Sequence, residues 1–268
     1  MGNAYHSSAV LPHRRQARGP GVLFLACLVV PAVVSLAVTP PAWSADSGKE
    51  SIALSLANML RAGRAVIAAN QDLINDPARA DKGLSGDRVL AEAVKIFRDK
   101  TGLDPASLDR GSARGKLLAI QMASIREVLD ENQKTINQPG VGFKGFVPAV
   151  FGRLVNERFR EKIGQEAEVK VTAPRHLVRN RKALPDTWEE KIIDSRLASA
   201  DWPKDKLYSE LAASNGRPAY RVLVPEYYSA NCLSCHGEPA GEIDVTGYPK
   251  EGGRLGQLGG VISITLYQ

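Results

Sequence analysis

The chain has 268 residues with 35 basic and 29 acidic side chains, four histidines and only three cysteines. Its net charge of +6 owes three units to Arg14, Arg15 and Arg18, in a 45-residue N-terminal stretch without acids, so the remainder carries 32 basic and 29 acidic groups, a net +3. That balance excludes nucleic acid as a partner suggested by charge.

The same arginines precede an apolar run over residues 21–38, followed by Pro40, Pro41 and the small residues Ala42, Ser44 and Ala45. This is the pattern of a secretory signal, so residues 1–45 are predicted to direct export, to the periplasm. Pro31 interrupts the run and favours cleavage after Ser44 or Ala45, although the run is about long enough to remain as an uncleaved membrane anchor. Cys27 lies inside the run and is read as a small hydrophobe of the presequence. Residues 46–268 are then one domain with a single good-sized core, 51–137 mainly helical and 140–268 mixed.

Apolar residues at helical spacing (Leu56, Met59, Leu60, Val66, Ile67, Leu73, Ile74) predict a long amphipathic helix over 51–75, with the polar Asn70 on the same stripe. A loop over 76–86 leads to a helix containing Leu90, Val94 and Phe97, with Asp87 expected as its cap. A second long helix is predicted over 116–137, stopping at Pro139-Gly140. The two long helices share a motif, since Arg64, Val66, Asn70, Gln71, Ile74 and Asn75 recur in register as Arg126, Val128, Asn132, Gln133, Ile136 and Asn137. Either two antiparallel helices end in amide caps that bond to each other, or Asn70 or Asn132 faces a cofactor.

Pro148 opens a further helix with Val150, Phe151, Leu154, Val155, Phe159 and Ile163 on its apolar face, ended by Gly164. Residues 168–172 alternate with period two and predict a strand. A basic loop over 174–182 follows, and Asp186 with Glu189 forms a capping-box start for a helix carrying Trp188, Ile192, Ile193 and Leu197. Residues 219–225 and 259–267 read as strands, and the glycine-rich 237–260 between them as turns packed around a cofactor. Helices followed by strands with helices between them indicate an α+β fold with an antiparallel sheet flanked by helices and preceded by long N-terminal amphipathic helices.

Between the last two strands stands Cys232-Leu233-Ser234-Cys235-His236. This spacing lets two thiols form thioethers to one haem while the next imidazole reaches the iron, predicting covalent haem c on Cys232 and Cys235 with His236 as iron ligand. A redox CxxC pair is disfavoured because no thioredoxin-like pattern surrounds it, and a zinc site because no second Cys or His pair exists. Export agrees, since unoccupied thiols outside the cytoplasm would tend to oxidise.

Residues 142–151, Lys170-Val171-Thr172, 179–189, Tyr220-Arg221, the haem motif and 259–264 together resemble the Tll-type haem domain, a family of PAS-like c-type haem domains found alone in the periplasm and as extracytoplasmic sensors of histidine kinases and chemoreceptors. The resemblance covers about the whole chain after residue 45. It implies a PAS-like sheet, His236 as proximal ligand and a distal cysteine on the first long helix. Asn70 stands at that cysteine's place here, and no third cysteine remains after residue 45.

Candidates for the other side of the iron are few. The only histidine besides His236 is His176, a possible distal ligand in the basic loop. Met59 and Met122 sit on or beside apolar stripes and are read as core. Lysine, tyrosine or water remain, and the leading expectation is a weak or absent sixth protein ligand with Asn70 and Gln71 lining the pocket. Tyr227 and Tyr228 are expected against the haem edge. Arg175, Arg179 and Arg181 could pair with the propionates, of which Arg179 is taken as the pocket residue. The function expected is sensing of redox state or of a small gaseous ligand such as a diatomic gas, with the signal passed to a separate protein, a membrane-bound signalling partner being one candidate. The alternative is a periplasmic electron-transfer cytochrome with a six-coordinate haem and a redox partner protein. No enzymatic role is expected beyond a minor peroxidase-like activity.

Overall fold

The computed structural model of the protein describes residues 42–268, with side-chain environments from residue 47. Nearly all of the expected signal segment therefore lies outside the described residues. Helix α1 (Ala42–Ala69) is followed by the single turn α2 (Gln71–Asn75), then α3 (Gly86–Thr101), α4 (Ala113–Glu131), the turn α5 (Gln133–Ile136) and α6 (Pro148–Ile163). The remainder holds β1 (Ala167–Thr172), α7 (Thr187–Ile192) running into a π-helical turn (Ile193–Leu197), β2 (Tyr208–Ser214), β3 (Arg217–Tyr227), the one-turn α8 (Leu233–His236) and β4 (Leu258–Tyr267). The four strands form one antiparallel sheet in the order β1-β4-β3-β2, which with the helices gives the expected α+β class.

The local signals explain these bounds. Ser85 caps α3 by accepting from the Arg88 amide, in place of the expected Asp87, which sits in the first turn. Pro148 opens α6 and Gly164 closes it. Asp186 and Glu189 form both arms of the capping box on α7. Strand β2 escaped the reading of the sequence. It pairs with β3 through a two-residue turn, Asn215-Gly216, in which both residues have positive φ (52° and 75°), and Asn-Gly is the dipeptide that such hairpin turns favour.

Alternation along the central strands divides the sheet into two faces. Tyr220, Val222 and Val224 of β3 and Ile262, Ile264 and Leu266 of β4 pack into a large core with Leu56, Met59 and Leu60 of α1, Phe97 of α3, Ile125 and Leu129 of α4 and Phe151 and Phe159 of α6. Leu223 and Val261 point to the other face and pack with Ile192, Ile193 and Leu197 under Trp188 and Trp202. Met59 is fully buried and Met122 packs against the same core. Helix α1 contains a stretch, Ser47–Ala69, long and apolar enough to cross a membrane; much of it is buried against α3, α4 and α6, and a central core helix has that composition for that reason.

The repeated motif has a structural counterpart, though a different one from mutual bonding. Both long helices break at the same asparagine. Asn70 donates back to the Val66 carbonyl at 2.8 Å and Asn132 to the Val128 carbonyl at 2.7 Å. The next glutamine in each case bonds its own helix and the loop that follows the other long helix: Gln71 donates to Ile67 and Phe146 carbonyls, and Gln133 to Leu129 and Leu84 carbonyls. Asn75 and Asn137 then accept from the backbone amides of Lys144 and Lys82, at 3.0 Å each. Each long helix thus ends in an amide clamp on the loop that follows the other long helix.

Candidate functional site

Strand β3 runs out of regular pairing at its end. Its register against β4 shifts between Glu226 and Tyr227, so that Tyr227 faces Leu258 and Gly259 is skipped. A bulge at a strand end re-aims the chain that follows, and here Tyr228 drops into a bed of glycine. A Cβ on Gly259 would lie 2.4 Å from the Tyr228 ring and one on Gly253 2.5 Å from it. The glycine-rich segment therefore packs around this tyrosine first, which a side chain at either position would displace.

Past Tyr228 a 3-10 turn (Ala230–Cys232) leads into α8. Cys232 and His236 stand one helical turn apart, on one face, and both line a cavity of about 550 Å³. Cavities of about 300–1,000 Å³ are the size that takes small molecules and cofactors. Its walls come from α6 (Gly152, Arg153, Asn156), from β1, from the loop 177–183, and from Arg64, Glu226, Tyr227 and Tyr228. Cys235 is partly exposed beside the motif but outside the lining, and both cysteines are free. Among the described residues no group of three or more His, Cys, Asp or Glu side chains is placed to hold a metal ion unaided.

His236 is fixed from three sides. Its Nδ1 lies 2.8 Å from Glu251 Oε2, its ring stacks on Tyr228 with centroids 5.5 Å apart and planes at 23°, and its carbonyl accepts from the Gly253 amide at 2.6 Å. Burial pushes the Glu251 carboxyl up, but hydrogen bonds from Arg179 and His236 outweigh that and hold it below its ordinary value. An ionised carboxylate only accepts, so Nδ1 is the donor in this bond; among the described residues Nε2 has no protein partner. Burial and then the Glu251 charge push Tyr228 up to about 12, which keeps the stacked ring neutral.

Arg179 is the hub beneath the motif. It donates to Glu251 at 2.6 and 2.9 Å, to Asp244 at 2.6 Å and to the Cys235 carbonyl at 2.8 Å. Its guanidinium lines the cavity, and two carboxylates and a carbonyl engage it, so it holds the motif loop in place. Arg175 is taken up by Glu190 at 2.5 Å. Arg181 is exposed and outside the lining.

The remaining sequence-predicted residues lie elsewhere. Asn70 and Gln71 belong to the clamp at the end of α1, with their amides engaged by backbone carbonyls, and neither lines the cavity. His176 is exposed on a 3-10 turn and is likewise absent from the lining, although its neighbours Leu177 and Val178 contribute to it. Helix α1 reaches the cavity through Arg64, one turn and a half before Asn70. Reasoning from the sequence missed Glu251, Asp244 and Asn156 and placed Arg64 only in the repeated helix motif, because the fold brings the four from three separate segments.

Residues 107–266 match the sequence model of the Tll0287-like family. The match starts before α4 and ends within β4, a narrower span than the resemblance implied, and it takes in the whole motif and the cavity wall except Arg64. No curated protein and no solved structure matches the chain.

Proposed function

The chain belongs to the Tll0287-like family, and from that membership and the cavity we propose that it binds one haem c, attached through Cys232 and Cys235, with His236 Nε2 as the iron ligand. The observation that carries the reading is His236 in the cavity wall with its Nδ1 proton held by Glu251, since a carboxylate on the outer nitrogen fixes the tautomer and orientation in which an imidazole serves a metal. Bound haem supplies an iron that changes oxidation state and accepts a further ligand. Tyr228 stacks on one face of the imidazole, and Arg179 keeps Glu251 ionised. Proximity does the rest: the two thiols are free and lie on the same short turn as the histidine.

The role we infer is sensing of redox state or of a diatomic ligand, outside the cytoplasm, with the signal passed to another protein. The cavity lining has no histidine besides His236 and no methionine. Its lysines include Lys170, which is held by Glu189 at 2.6 Å. Such a wall favours an exchangeable sixth position. Binding rather than catalysis fits the carboxylates as well: Glu157, Glu168 and Glu226 in the wall are each ion-paired with arginine, so none is free to act as acid or base. Electron transfer is the second reading, favoured by Ile243, Val245, Tyr248 and Leu255, exposed apolar side chains beside the motif that would suit a docking protein.

The test is expression with c-type haem attachment machinery, intact-mass analysis and absorption spectroscopy. We expect a mass gain of one haem, abolished in the Cys232→Ala, Cys235→Ala double variant, and a ferrous spectrum that changes on adding carbon monoxide. Folded protein without attached haem would overturn the cofactor assignment, and a ferrous spectrum indifferent to carbon monoxide would favour the electron carrier.

A further inference from the structure

Two polar side chains in the cavity wall lack the partners that their burial calls for. Asn156 on α6 is 8% exposed and its Oδ1 is buried with no hydrogen-bond partner. Arg64 on α1 donates from Nη1 to Glu226 at 2.5 Å, while its Nε is buried and has no partner among the described residues. Buried polar groups in folded chains are normally satisfied, so each exception asks for a group that the chain itself does not supply.

The two belong to one place. Gly152 and Asn156 are four residues apart on α6 and share a helical face, and a Cβ on Gly152 would come within 3.1 Å of Arg64 Cδ. The arginine stem therefore lies on α6 one turn from the carboxamide, and all three residues line the cavity. The charges also point one way. Glu226 binds both Arg61 and Arg64 at 2.5 Å, leaving the trio with one positive charge in excess. Arginine offers donors only, and a carboxamide presents its NH₂ by rotating about its last bond.

Resting on the haem reading above, we propose that Arg64 and Asn156 form a polar subsite of the cavity that receives an acceptor oxygen carrying full or partial negative charge. Two sources share that chemistry: a haem propionate, or the outer oxygen of an exogenous ligand such as dioxygen or nitric oxide bound at the iron. Either would accept from Arg64 Nε and, with the carboxamide rotated, from Asn156 Nδ2, a pairing that no described residue supplies.

The experiment compares the full-length holoprotein with its Asn156→Leu and Arg64→Lys variants. Asn156→Leu is close in shape and removes an amide whose buried Oδ1 has no partner among the described residues, so unfolding temperature is expected to hold or rise. Arg64→Lys keeps a cation for Glu226 and loses Nε. Resonance Raman spectra of the ferrous carbon monoxide complex report both sources. If the oxygen is exogenous, the Fe–C and C–O modes shift in both variants, and dioxygen dissociates about tenfold faster, the effect of one lost hydrogen bond. If it is a propionate, the propionate bending mode and the midpoint potential shift while the Fe–C–O modes stay. Normal haem loading with none of these signals moved in either variant would overturn the subsite alone. Wild-type protein that takes up no haem would overturn the haem reading, and the subsite with it.

Discussion

At the scale of single residues, the site is organised by side chains that never appear in the haem motif. Glu251 decides the protonation pattern of His236, and its replacement tests that directly. Glu251→Gln keeps the size of the side chain but offers Nδ1 a neutral acceptor, so the imidazole becomes a weaker base toward metal. Partners of this kind are worth about 10- to 100-fold in metal hold, and we expect a raised midpoint potential and a larger high-spin fraction in the ferric spectrum. An unchanged potential would mean that Glu251 serves only the Arg179 network. Gly259 makes a second point, since its Cβ position is already filled by the Tyr228 ring. Gly259→Ala forces that ring off His236 at a cost of about 1–3 kcal/mol for overpacking, which denaturant titration of the apoprotein would measure and a changed holo spectrum would report.

At the scale of elements, the repeated amide motif shows what a sequence pattern conveys and what it withholds. That Asn70 and Asn132 do the same job was legible from Arg, Val, Asn, Gln, Ile and Asn recurring in register. What the job is depended on loops remote in sequence: Gln71 reaches the Phe146 carbonyl and Gln133 the Leu84 carbonyl. Asn70 gives the same lesson, since its amide bonds a backbone carbonyl one turn back and lies outside the cavity lining. The long helices, the capping box and three strands were readable from local chemistry, the breaks at Asn70 and Asn132 were not, and the Asn215-Gly216 turn would have supplied the fourth strand. The cavity was readable only on its proximal side, where covalent spacing confines Cys232 and His236 to one turn. Its other walls join α1, α6 and β1 through contacts that no spacing encodes. The clamp reading predicts that Gln71→Ala and Gln133→Ala each lower stability by about 1–3 kcal/mol, the penalty for stranding buried carbonyls. Since the two clamps share no partner, the double variant should lose the sum to within about 0.5 kcal/mol by urea unfolding. A strong departure from additivity would show that the helix ends are coupled.

At the scale of the whole molecule, the sheet and the haem motif are joined by charge as much as by apolar packing. Arg221, 3% exposed, lies over the Trp188 ring and donates to Asp186, tying the capping box of α7 to β3. Arg179 ties the loop 237–257 to the segment after β1 through Asp244 and Glu251. Asp244 is fully buried, and although burial pushes its carboxyl up, bonds from Thr246, Arg179 and two backbone amides hold it well below the ordinary carboxylate range. A carboxyl whose folded pKa is depressed contributes stability above its unfolded value, about 3.9 for aspartate, and loses it as pH falls through the folded value. Glu251 and Asp186 are depressed as well, so their contributions fall away in the same direction. The apoprotein should therefore unfold progressively more easily below about pH 4. Asp244→Asn removes the charge that Arg179 requires, and we expect it to cost about 1–3 kcal/mol near neutrality, the penalty for leaving a buried charged group short of a partner. The same variant should show a shallower fall between pH 5 and pH 2, because one of the titrating carboxyls is gone. Urea midpoints measured across that range for both proteins decide the matter: parallel curves would place the acid sensitivity in other carboxylates, whereas curves that converge at low pH assign it to the arginine hub beneath the haem motif.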